Sequence, residues 1–489
     1  MRSALEISGQ TLRISLLQNT VPQKETLVSG RDVLIRPDVE AVPITDFRSL
    51  TRTIPAGAAA ARALADELAE WSVDSLTYND LQENRTRVDV PLPTLDFVRI
   101  EGAERIDASV LVGRLDLPMG EPLTAQRLER GILRVFAMEL FQSVDYTLVE
   151  EQGRSGLVVE VVEKPWGPGF LRLGLAFSDD LERGPSSLFV LLNHVQIQIN
   201  RRGAALLTEL RFIDAQRVKV EFFQPLDMGG TYYVAPSVDY RQEIFDINFL
   251  GAGEVGRGVR EFNATLELGV QLQNWGDLRV ELVRGRVWQR GSAAAPPGSL
   301  DAEVGGIRAS LMTDILNDPA FPRSGTRVHV EVYRSARSMG ADPSYTRVEG
   351  SLLAAVSAGR NTVLLGIRAS SAVNSTLPVH DDFALGGFQH LSGLRPRDII
   401  GDQFAPGSVT FRRRTATFPT ALKGGNLYLG FSAEAGNAWS NPSFVRWDNL
   451  VGGASLFVGM ETLFGPLYLA YGHSTLGGDT VHLLLGRAF

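Results

Sequence analysis

The sequence predicts a mainly β protein: a transmembrane antiparallel β-barrel of about 16 strands, preceded by a small α+β domain and a helical segment. Two observations predict this class. Apolar and polar residues alternate in strand-length segments through the C-terminal two-thirds of the 489 residues. The chain also lacks an uninterrupted apolar run long enough for a membrane-spanning helix, whereas a barrel strand needs only about 9–11 residues with alternate positions apolar.

The alternation is clearest in residues 261–272, where every even position is apolar and every odd position is polar, charged or glycine. Residues 217–222, 278–282 and 327–332 alternate in the same way, and in 427–435 the odd positions are the apolar ones. A strand between lipid and a polar lumen must alternate, because every second side chain points into hydrocarbon. At about 20 residues per strand and loop, residues 169–489 predict about 16 strands, with about 14 and about 18 left as alternatives.

Composition narrows the function classes. A hydrophobic content of 44% and a mean hydropathy near zero exclude a disordered chain and an α-helical membrane protein. The net charge of −8 argues against a nucleic-acid partner. The absence of cysteine fits an oxidising compartment reached without disulfides, as well as many cytosolic proteins. Residues 1–6 lack the apolar region of a secretory signal, so we expect the true start to lie upstream of Met1.

Residues 1–90 predict a short strand at 33–35 and a helix from Pro55 to Trp71. Such a short region can hardly bury a core of its own. Residues 95–165 then predict strand, helix, helix, strand, strand. Asp107 begins the first helix, and Thr124 caps a second whose Leu128, Ile132, Val135 and Phe136 share a face. Segments 144–149 and 157–162 predict a hairpin.

The β-α-α-β-β order of residues 95–165 resembles a POTRA domain, the periplasmic unit that precedes barrels of the Omp85 superfamily. Three barrel segments resemble motifs of that family. Residues 318–325 look like its "fP-x-x-G" turn, residues 383–394 like its sixth-loop (L6) segment, and residues 428–439 like the strand that ends in "AGN-W". The final strand, which ends on an aromatic residue, resembles the signal that the barrel-assembly machinery reads.

The resemblance implies three sets of site residues. The loop set is Leu385, Gly386, Gly387, Phe388, Ser392, Gly393 and Leu394; the signature-strand set is Glu434, Gly436, Asn437 and Trp439; the C-terminal insertion set is Leu483, Leu485, Gly486 and Phe489. One departure stands out: the family's loop tip usually reads V-R-G-F or V-R-G-Y, whereas residues 391–394 read Leu-Ser-Gly-Leu and lack the arginine.

This departure shifts the resemblance toward patatin-like phospholipase autotransporters, in which a hydrolase, one POTRA domain and a barrel share a chain. Residues 32–38, Asp46-Phe47 and the Ala-rich helix resemble the end of a patatin domain. The implied function is a bacterial outer-membrane translocator, with its POTRA domain in the periplasm, that anchors and supports secretion or display of a patatin-like passenger. The alternative is an insertase or two-partner secretion pore acting on other polypeptides. Outer-membrane lipids and the barrel-assembly machinery are the expected partners, and self-association stays open.

The sequence predicts no enzyme activity, cofactor or metal. Neither the G-x-S-x-G nor the D-G-G/A segment of patatin hydrolases is present, and Ser474, in Gly-His-Ser-Thr-Leu, is expected to lie in a hairpin loop. The six histidines show no metal-ligand spacing. Residues 380–382 are expected in a solvated loop. Charges at 217–221 and 261–267 are expected to pair along the lumen, with ion selectivity as the alternative. Lumen glycines such as Gly269 and Gly430 are expected to leave room for a plug or loop.

Overall fold

The computed structural model describes residues 32–39, 53–86, 93–165, 169–180, 187–213, 215–248, 254–290, 300–378, 380–418, 425–462 and 464–486. The chain divides into two compact units, residues 1–91 and 92–489. The predicted elements at residues 46–47 and Phe489 lie outside the described residues.

The described part of the first unit contains three helices. Its helices are α1 (Thr53–Ala63), α2 (Ala65–Ala69) and α3 (Ser75–Thr86). The predicted single helix is therefore interrupted at Leu64, and the predicted strand at 33–35 is wrong because residues 32–39 form no strand. The sequence analysis missed α3, which begins because the Asp74 carboxylate accepts hydrogen bonds from the backbone N–H groups of Leu76 and Thr77, both at 3.0 Å. No helix among the described residues is long and apolar enough to cross a membrane.

Residues 93–165, called here the α+β module, contain the predicted five elements. They are β1 (Phe97–Glu101), α4 (Ala108–Leu115), α5 (Ala125–Phe136), β2 (Phe141–Glu151) and β3 (Arg154–Glu163). The central strand β3 lies parallel to β1 and antiparallel to β2. Asp107 and Thr124 cap the two helices by accepting from the N–H groups of Ser109 and Arg127, as predicted.

The helices and the sheet of the module enclose one apolar core. Leu95, Leu111, Leu115, Leu128, Val135, Leu157 and Val159 are among its buried members. The predicted core position of Phe136 is wrong: its side chain is 49% exposed. Phe136 is the last residue of α5, and the buried residues of that helix are Leu128, Gly131 and Val135.

Twenty strands follow the module within the described ranges. They are β4 (Gly169–Asp180), β5 (Ser187–Gln196), β6 (Ala205–Ile213), β7 (Ala215–Pro225), β8 (Tyr232–Asn248), β9 (Glu254–Leu272), β10 (Gly276–Arg290), β11 (Leu300–Asp314), β12 (Gly325–Ser335), β13 (Tyr345–Ala358), β14 (Asn361–Ala372), β15 (Phe383–Leu385), β16 (Ile399–Gly401), β17 (Gln403–Phe404), β18 (Gly407–Phe418), β19 (Gly425–Gly436), β20 (Ala438–Trp439), β21 (Val451–Thr462), β22 (Gly465–Ser474) and β23 (Gly478–Leu485).

Sixteen of these strands form a closed antiparallel barrel, which confirms the predicted barrel and selects 16 from the expected range of 14 to 18 strands. Each pairs with the next along the chain, and β23 pairs antiparallel with β4 to close the wall. The other four are short. Strands β15 and β16 make a separate two-stranded sheet. Strand β17, just before β18, pairs with β20, just after β19, and so extends the β18–β19 hairpin at its open end.

The predicted alternation separates the two faces of the wall. Exposed apolar side chains on the outer face include Leu171, Leu173, Phe212, Val218, Val238, Phe262, Leu266, Leu268, Leu278, Leu282, Ile307, Leu311, Val330, Val332, Val363, Leu365, Ile367, Val409, Leu429, Phe431, Leu456, Leu469 and Leu483. Buried polar side chains on the inner face include Glu261, Glu267, Glu281, Thr362, Thr410, Arg412, Ser432, Glu434, Ser455, Thr480 and His482. An apolar outer band around a polar interior is what a bilayer requires.

Charged side chains in the lumen pair with their neighbours, as predicted. Arg217 contacts Asp239 at 2.7 Å, and Arg308 contacts Glu281 at 2.7 Å. Tyr233 donates a hydrogen bond to Glu267 at 2.7 Å. These pairs join adjacent strands and satisfy charges that the surrounding wall partly shields from water.

The α+β module contacts two turns of the barrel through α4. The Asp107 N–H donates to the Arg201 carbonyl at 2.9 Å, in the turn between β5 and β6. Gly113 lies so close to the β7–β8 turn that a Cβ atom there would be 2.7 Å from the Met228 carbonyl carbon. The guanidinium of Arg114 covers Gly230 in the same turn. The module is therefore held against the end of the barrel at which these turns lie.

Candidate functional site: a lumen loop and its seat on the last strands

The long connection between β14 and β18, residues 373–406, turns into the barrel and contacts its inner wall. We call it the lumen loop. Its two halves pair as the β15–β16 hairpin, in which Leu385 lies opposite Ile399, and residues 386–397 form the tip. All seven residues predicted for the loop set fall in this segment, although their functional roles remain predictions.

The tip has an unusual backbone. Gly386, Gly387 and Gly393 have positive φ, as do three residues with side chains, Gln389, Leu391 and Arg397. Left-handed backbone costs a non-glycine residue roughly 1–2 kcal/mol. Such conformations persist only where surrounding contacts hold them, and they are concentrated at functional sites.

Ser392 attaches the tip to strand β19. Its backbone N–H donates to Glu434 Oε2 at 2.5 Å, and its hydroxyl donates to Glu434 Oε1 at 2.8 Å. Ser432, on the same strand, also donates to Glu434 and lies 2.6 Å from the Ser455 hydroxyl. Both Ser392 and Glu434 are buried. The carboxylate therefore accepts three hydrogen bonds, two of them from the loop.

Gly393 attaches the tip to the final strand. Its N–H donates to the Thr480 hydroxyl at 3.0 Å, and that hydroxyl lies 2.8 Å from His482 Nε2. Both wall residues are buried on the lumen face of β23. One short segment of the loop thus contacts the thirteenth and the sixteenth strands of the wall.

Three wall glycines make this close approach possible. A Cβ atom at Gly472 would lie 2.6 Å from the Gly393 nitrogen and 2.7 Å from Ser392 Cβ. A Cβ atom at Gly453 would lie 3.1 Å from Leu391 Cα, and one at Gly478 would collide with the Gly393 carbonyl. These glycines, on β21, β22 and β23, form a flat seat for the tip.

Lumen glycines were expected to make room for a loop, and the glycines that do so are Gly453, Gly472 and Gly478 instead of Gly269 and Gly430. At Gly269 the cleared space holds the Tyr233 ring, and at Gly430 it holds the Phe457 ring. Both rings belong to neighbouring strands of the wall itself. The prediction that these two glycines make room for a loop is wrong.

The Phe388 side chain makes a second contact between the tip and the wall. It lies beside the seam, which is the pairing of β4 with β23 that closes the barrel. Its ring centroid lies 5.5 Å from that of Phe457, 5.6 Å from that of Tyr468 and 6.0 Å from that of His482. It also packs against Ala176 and Leu484, which face each other across the seam. Aromatic contacts of this kind contribute about 0.5–1.5 kcal/mol each beyond their buried area.

The seam ladder is short. Within the described residues, β23 pairs with β4 only from Thr480 to Leu485, whereas β8 and β9 pair from Tyr232 to Asn248. The predicted insertion residues Leu483 and Leu485 lie on this ladder, opposite Phe177 and Leu175. Gly486 follows with a positive φ.

The stem of the lumen loop is fixed to strand β13 of the wall. Asp381 accepts a hydrogen bond from Arg347 at 2.8 Å and another from the Tyr345 hydroxyl, both on β13. His380 is only 9% exposed. The expectation of a solvated loop at residues 380–382 is therefore wrong. The Arg347 guanidinium of the lumen wall pairs with the Asp381 carboxylate and offsets the cost of removing that charge from water.

The signature-strand residues join the loop's second stem. A Cβ atom at Gly436 would lie 2.7 Å from Pro406 Cα, and the Asn437 carbonyl accepts from the Ala405 N–H at 3.1 Å. Trp439 is buried opposite Gln403 and donates its indole N–H to Asn449 Oδ1 at 3.0 Å. The structure thus brings this set and the loop set together.

Sequence reasoning missed Thr480 as a contact of the tip, and it missed Arg347 and Tyr345 as contacts of the stem. One signal was visible for the first: glycines occupy lumen-facing positions on three consecutive strands, at 453, 472 and 478. A cleared patch of this kind indicates that another backbone lies against the wall.

Ser474 lies where β22 ends and its hydroxyl contacts the Gly452 carbonyl at 3.3 Å, in the hairpin position predicted for it. Within the described ranges, no group of three or more His, Asp or Glu side chains could hold a metal ion. The predicted lack of enzyme activity remains a prediction.

Comparisons with known proteins agree on the architecture. The sequence model of the Omp85 superfamily domain matches residues 216–478. BamA from Haemophilus ducreyi lacking POTRA domains 1–3 superposes with a TM-score of 0.61 at 13% identity, covering 80% of this chain and 84% of that one. CdiB from Acinetobacter baumannii gives 0.56 at 12% identity, with 80% and 74% covered. CdiB from Escherichia coli gives 0.55 at 13% identity, with 80% and 76% covered. No curated protein matches the chain in sequence.

Proposed function

The chain belongs to the Omp85 superfamily and is a bacterial outer-membrane barrel, and from this premise we propose that it inserts or transports polypeptides through the lumen and the β4–β23 seam. The lumen loop is the element that controls the path. The α+β module acts as a POTRA domain in the periplasm and receives the polypeptide at the end of the barrel where α4 contacts the turns.

The observation that carries this proposal is the position of the lumen loop. Its tip lies against the last strands, and Phe388 covers the seam from inside at Ala176 and Leu484. A loop that only narrowed a pore would need no contact with the seam. Contact with both the lumen wall and the closing strand supports a device that links occupancy of the lumen to opening of the seam.

The proposal can be tested with a disulfide introduced across the seam, because the natural chain contains no cysteine that could form a competing bond. Phe177 and Leu483 face each other directly across the seam. Opposed residues of an antiparallel pair have Cα atoms about 4.5–5.5 Å apart, which is within disulfide range. The pair Phe177→Cys/Leu483→Cys therefore locks the seam, and Leu192→Cys/Leu210→Cys locks the β5–β6 pair as a matched control.

Both variants and the natural chain are returned to a host strain lacking the gene, and the outer-membrane and secreted proteins are quantified. We expect the natural chain and the control to restore polypeptides that the deletion loses, and the seam-locked variant to restore them only after reduction. Full restoration by the oxidised seam-locked variant, or a deletion that alters no polypeptide, contradicts the proposal.

We retain a patatin-linked role as a second proposal, because residues 32–38, 46–47 and the Ala-rich helix resemble the end of a patatin domain. The polypeptide would then be a lipid hydrolase encoded in the same frame. Sequencing the genomic DNA upstream of Met1 tests it. An open frame through D-G-G/A and G-x-S-x-G segments supports this role, and an immediate stop codon refutes it.

A further inference from the structure

An apolar groove lies on the outer face of the barrel, away from the lumen loop. It has a volume of about 840 Å³ and crosses strands β7 to β10. Its apolar lining includes Val220, Phe222, Val238, Ala264, Leu266 and Leu282. These residues occupy outward positions of the alternation, so the groove opens toward the bilayer and not toward the lumen.

The strand register explains the depression. Val220, Val238, Ala264 and Arg284 stand side by side on four consecutive strands. Alanine is the smallest side chain of this row. The larger Leu266 and Leu282 form the neighbouring row, one step along the strands. The small residue between larger neighbours leaves a recess in a wall that is otherwise covered by branched side chains.

A loop forms a roof over one end of the groove. Residues 336–342, between β12 and β13, fold back over the outer wall, and Ser338 and Met339 line the groove. The Arg284 guanidinium donates to the carbonyls of Met339, at 3.2 Å, and Gly340, and it contacts Glu303 at 3.0 Å. Gly305 lies directly beneath, because a Cβ atom there would collide with the Met339 carbonyl.

We propose that this groove binds one acyl chain of an outer-leaflet lipid, the lipid A part of lipopolysaccharide. Water in such a recess would find few polar partners, and the bilayer core supplies none. Arg284 donates to two carbonyls and a carboxylate at the roofed end of the groove, so its charge is already paired there, and most of the remaining lining is apolar. The site therefore selects a hydrocarbon chain.

The choice of leaflet follows from topology. The β5–β6 and β7–β8 turns, which contact the α+β module, lie at one end of the barrel, and the β12–β13 loop joins strands at the other end. With the module in the periplasm, the roofed end lies in the outer leaflet. This leaflet assignment rests on the proposed function, whereas chain binding itself does not.

Native mass spectrometry of the purified full chain in detergent tests the proposal, with Kdo2-lipid A and phosphatidylethanolamine added in separate titrations. Ala264→Trp fills the groove, and Gly305→Val displaces the roof. Ala309→Trp, an exposed outward position on β11, is the matched control. Heat-modifiable mobility shows that each variant is folded.

We expect lipid A to bind one site of the natural chain and of Ala309→Trp with equal affinity. Binding to Ala264→Trp should be about tenfold weaker, the effect of roughly two methylene groups losing their contacts, and Gly305→Val should also bind more weakly. If Ala264→Trp and the natural chain bind lipid A equally, the groove is not the binding site and the proposal is overturned. Equal, saturable binding of phosphatidylethanolamine at the same site overturns the choice of lipid. Neither outcome depends on polypeptide transport, so the two proposals fail separately.

Discussion

Removal of the Glu434 carboxylate is expected to release the loop tip from the barrel wall. Glu434→Ala deletes the acceptor of both Ser392 hydrogen bonds. Hydrogen bonds to a charged group contribute about 1.5–3 kcal/mol each, so the two together contribute roughly 3–6 kcal/mol. The substitution also removes the cost of burying the carboxylate, which offsets part of that sum. A net loss of about 2–3 kcal/mol raises the population of the released tip roughly 30- to 150-fold.

A single cysteine reports this release. Leu394, in the tip, is buried, and the chain has no natural cysteine, so Leu394→Cys reacts with a maleimide only when the tip leaves its seat. We expect Glu434→Ala to accelerate labelling roughly 30- to 150-fold. Glu434→Gln should accelerate it about tenfold or less, because the amide keeps one acceptor and loses the charge.

Glu221→Ala is the matched control, since Glu221 is a lumen carboxylate on β7 that pairs with Lys219 at 2.8 Å. Its labelling rate should equal that of the parent. If Glu434→Ala is labelled no faster than Glu221→Ala, the two hydrogen bonds from Ser392 to Glu434 do not hold the tip against β19, and this reasoning is refuted.

Three further predictions follow from other parts of the chain. Deleting Phe489, or replacing it with Ala, should lower the amount of folded barrel in the outer membrane; unchanged yield and heat-modifiable mobility would refute its role in insertion. Ser392→Arg should accelerate labelling of the tip cysteine, because the larger side chain has no room on the glycine seat; slower labelling than in the parent would contradict this. In the α+β module, partial burial raises the pKa of Glu163, but the hydrogen bonds from the side chain and N–H of Arg105 outweigh it and lower the pKa overall. The stabilisation is therefore complete above the unfolded-state pKa and is lost as pH falls through the folded-state pKa. The protection factors of the 104–105 amides, which are exchange rates corrected for the intrinsic pH dependence of exchange, should fall in acid in the natural chain, and Glu163→Gln should remove that fall.

The sequence was sufficient for the barrel because the bilayer imposes a strict local rule on every strand. In residues 261–272 the even positions face out and the odd positions face in, as the alternation alone predicts. The caps Asp107 and Thr124 were equally local, since each side chain bonds an N–H group two or three residues away. Signals of this range can be recognised without knowledge of the fold.

The lumen loop shows where sequence reasoning stops. Ser392 meets Glu434 across 42 positions, and Gly393 meets Thr480 across 87. No periodicity connects such positions, because closure of the barrel alone brings them together. A similar reason explains the wrong expectation for Asp381, whose charge is paired only once the fold brings Arg347 of β13 beside it. The missed helix α3 has a different cause: its polar sequence offers no apolar periodicity, and only the Asp74 cap indicates its start.

The missing arginine at the tip and the glycines of the wall have one physical explanation. A serine side chain is short, so Ser392 can reach Glu434 only if the loop backbone lies directly against the strands. Gly453, Gly472 and Gly478 permit that approach, and the approach in turn lets the N–H groups of Ser392 and Gly393 bond the wall. Salt weakens the attraction between exposed charges, with a screening length of about 10 Å at 0.1 M, whereas a buried carboxylate held by neutral donors is screened much less. The attachment of the tip in this chain therefore depends on the shape of the glycine seat and on the hydrogen bonds that Ser392 and Gly393 donate to the wall.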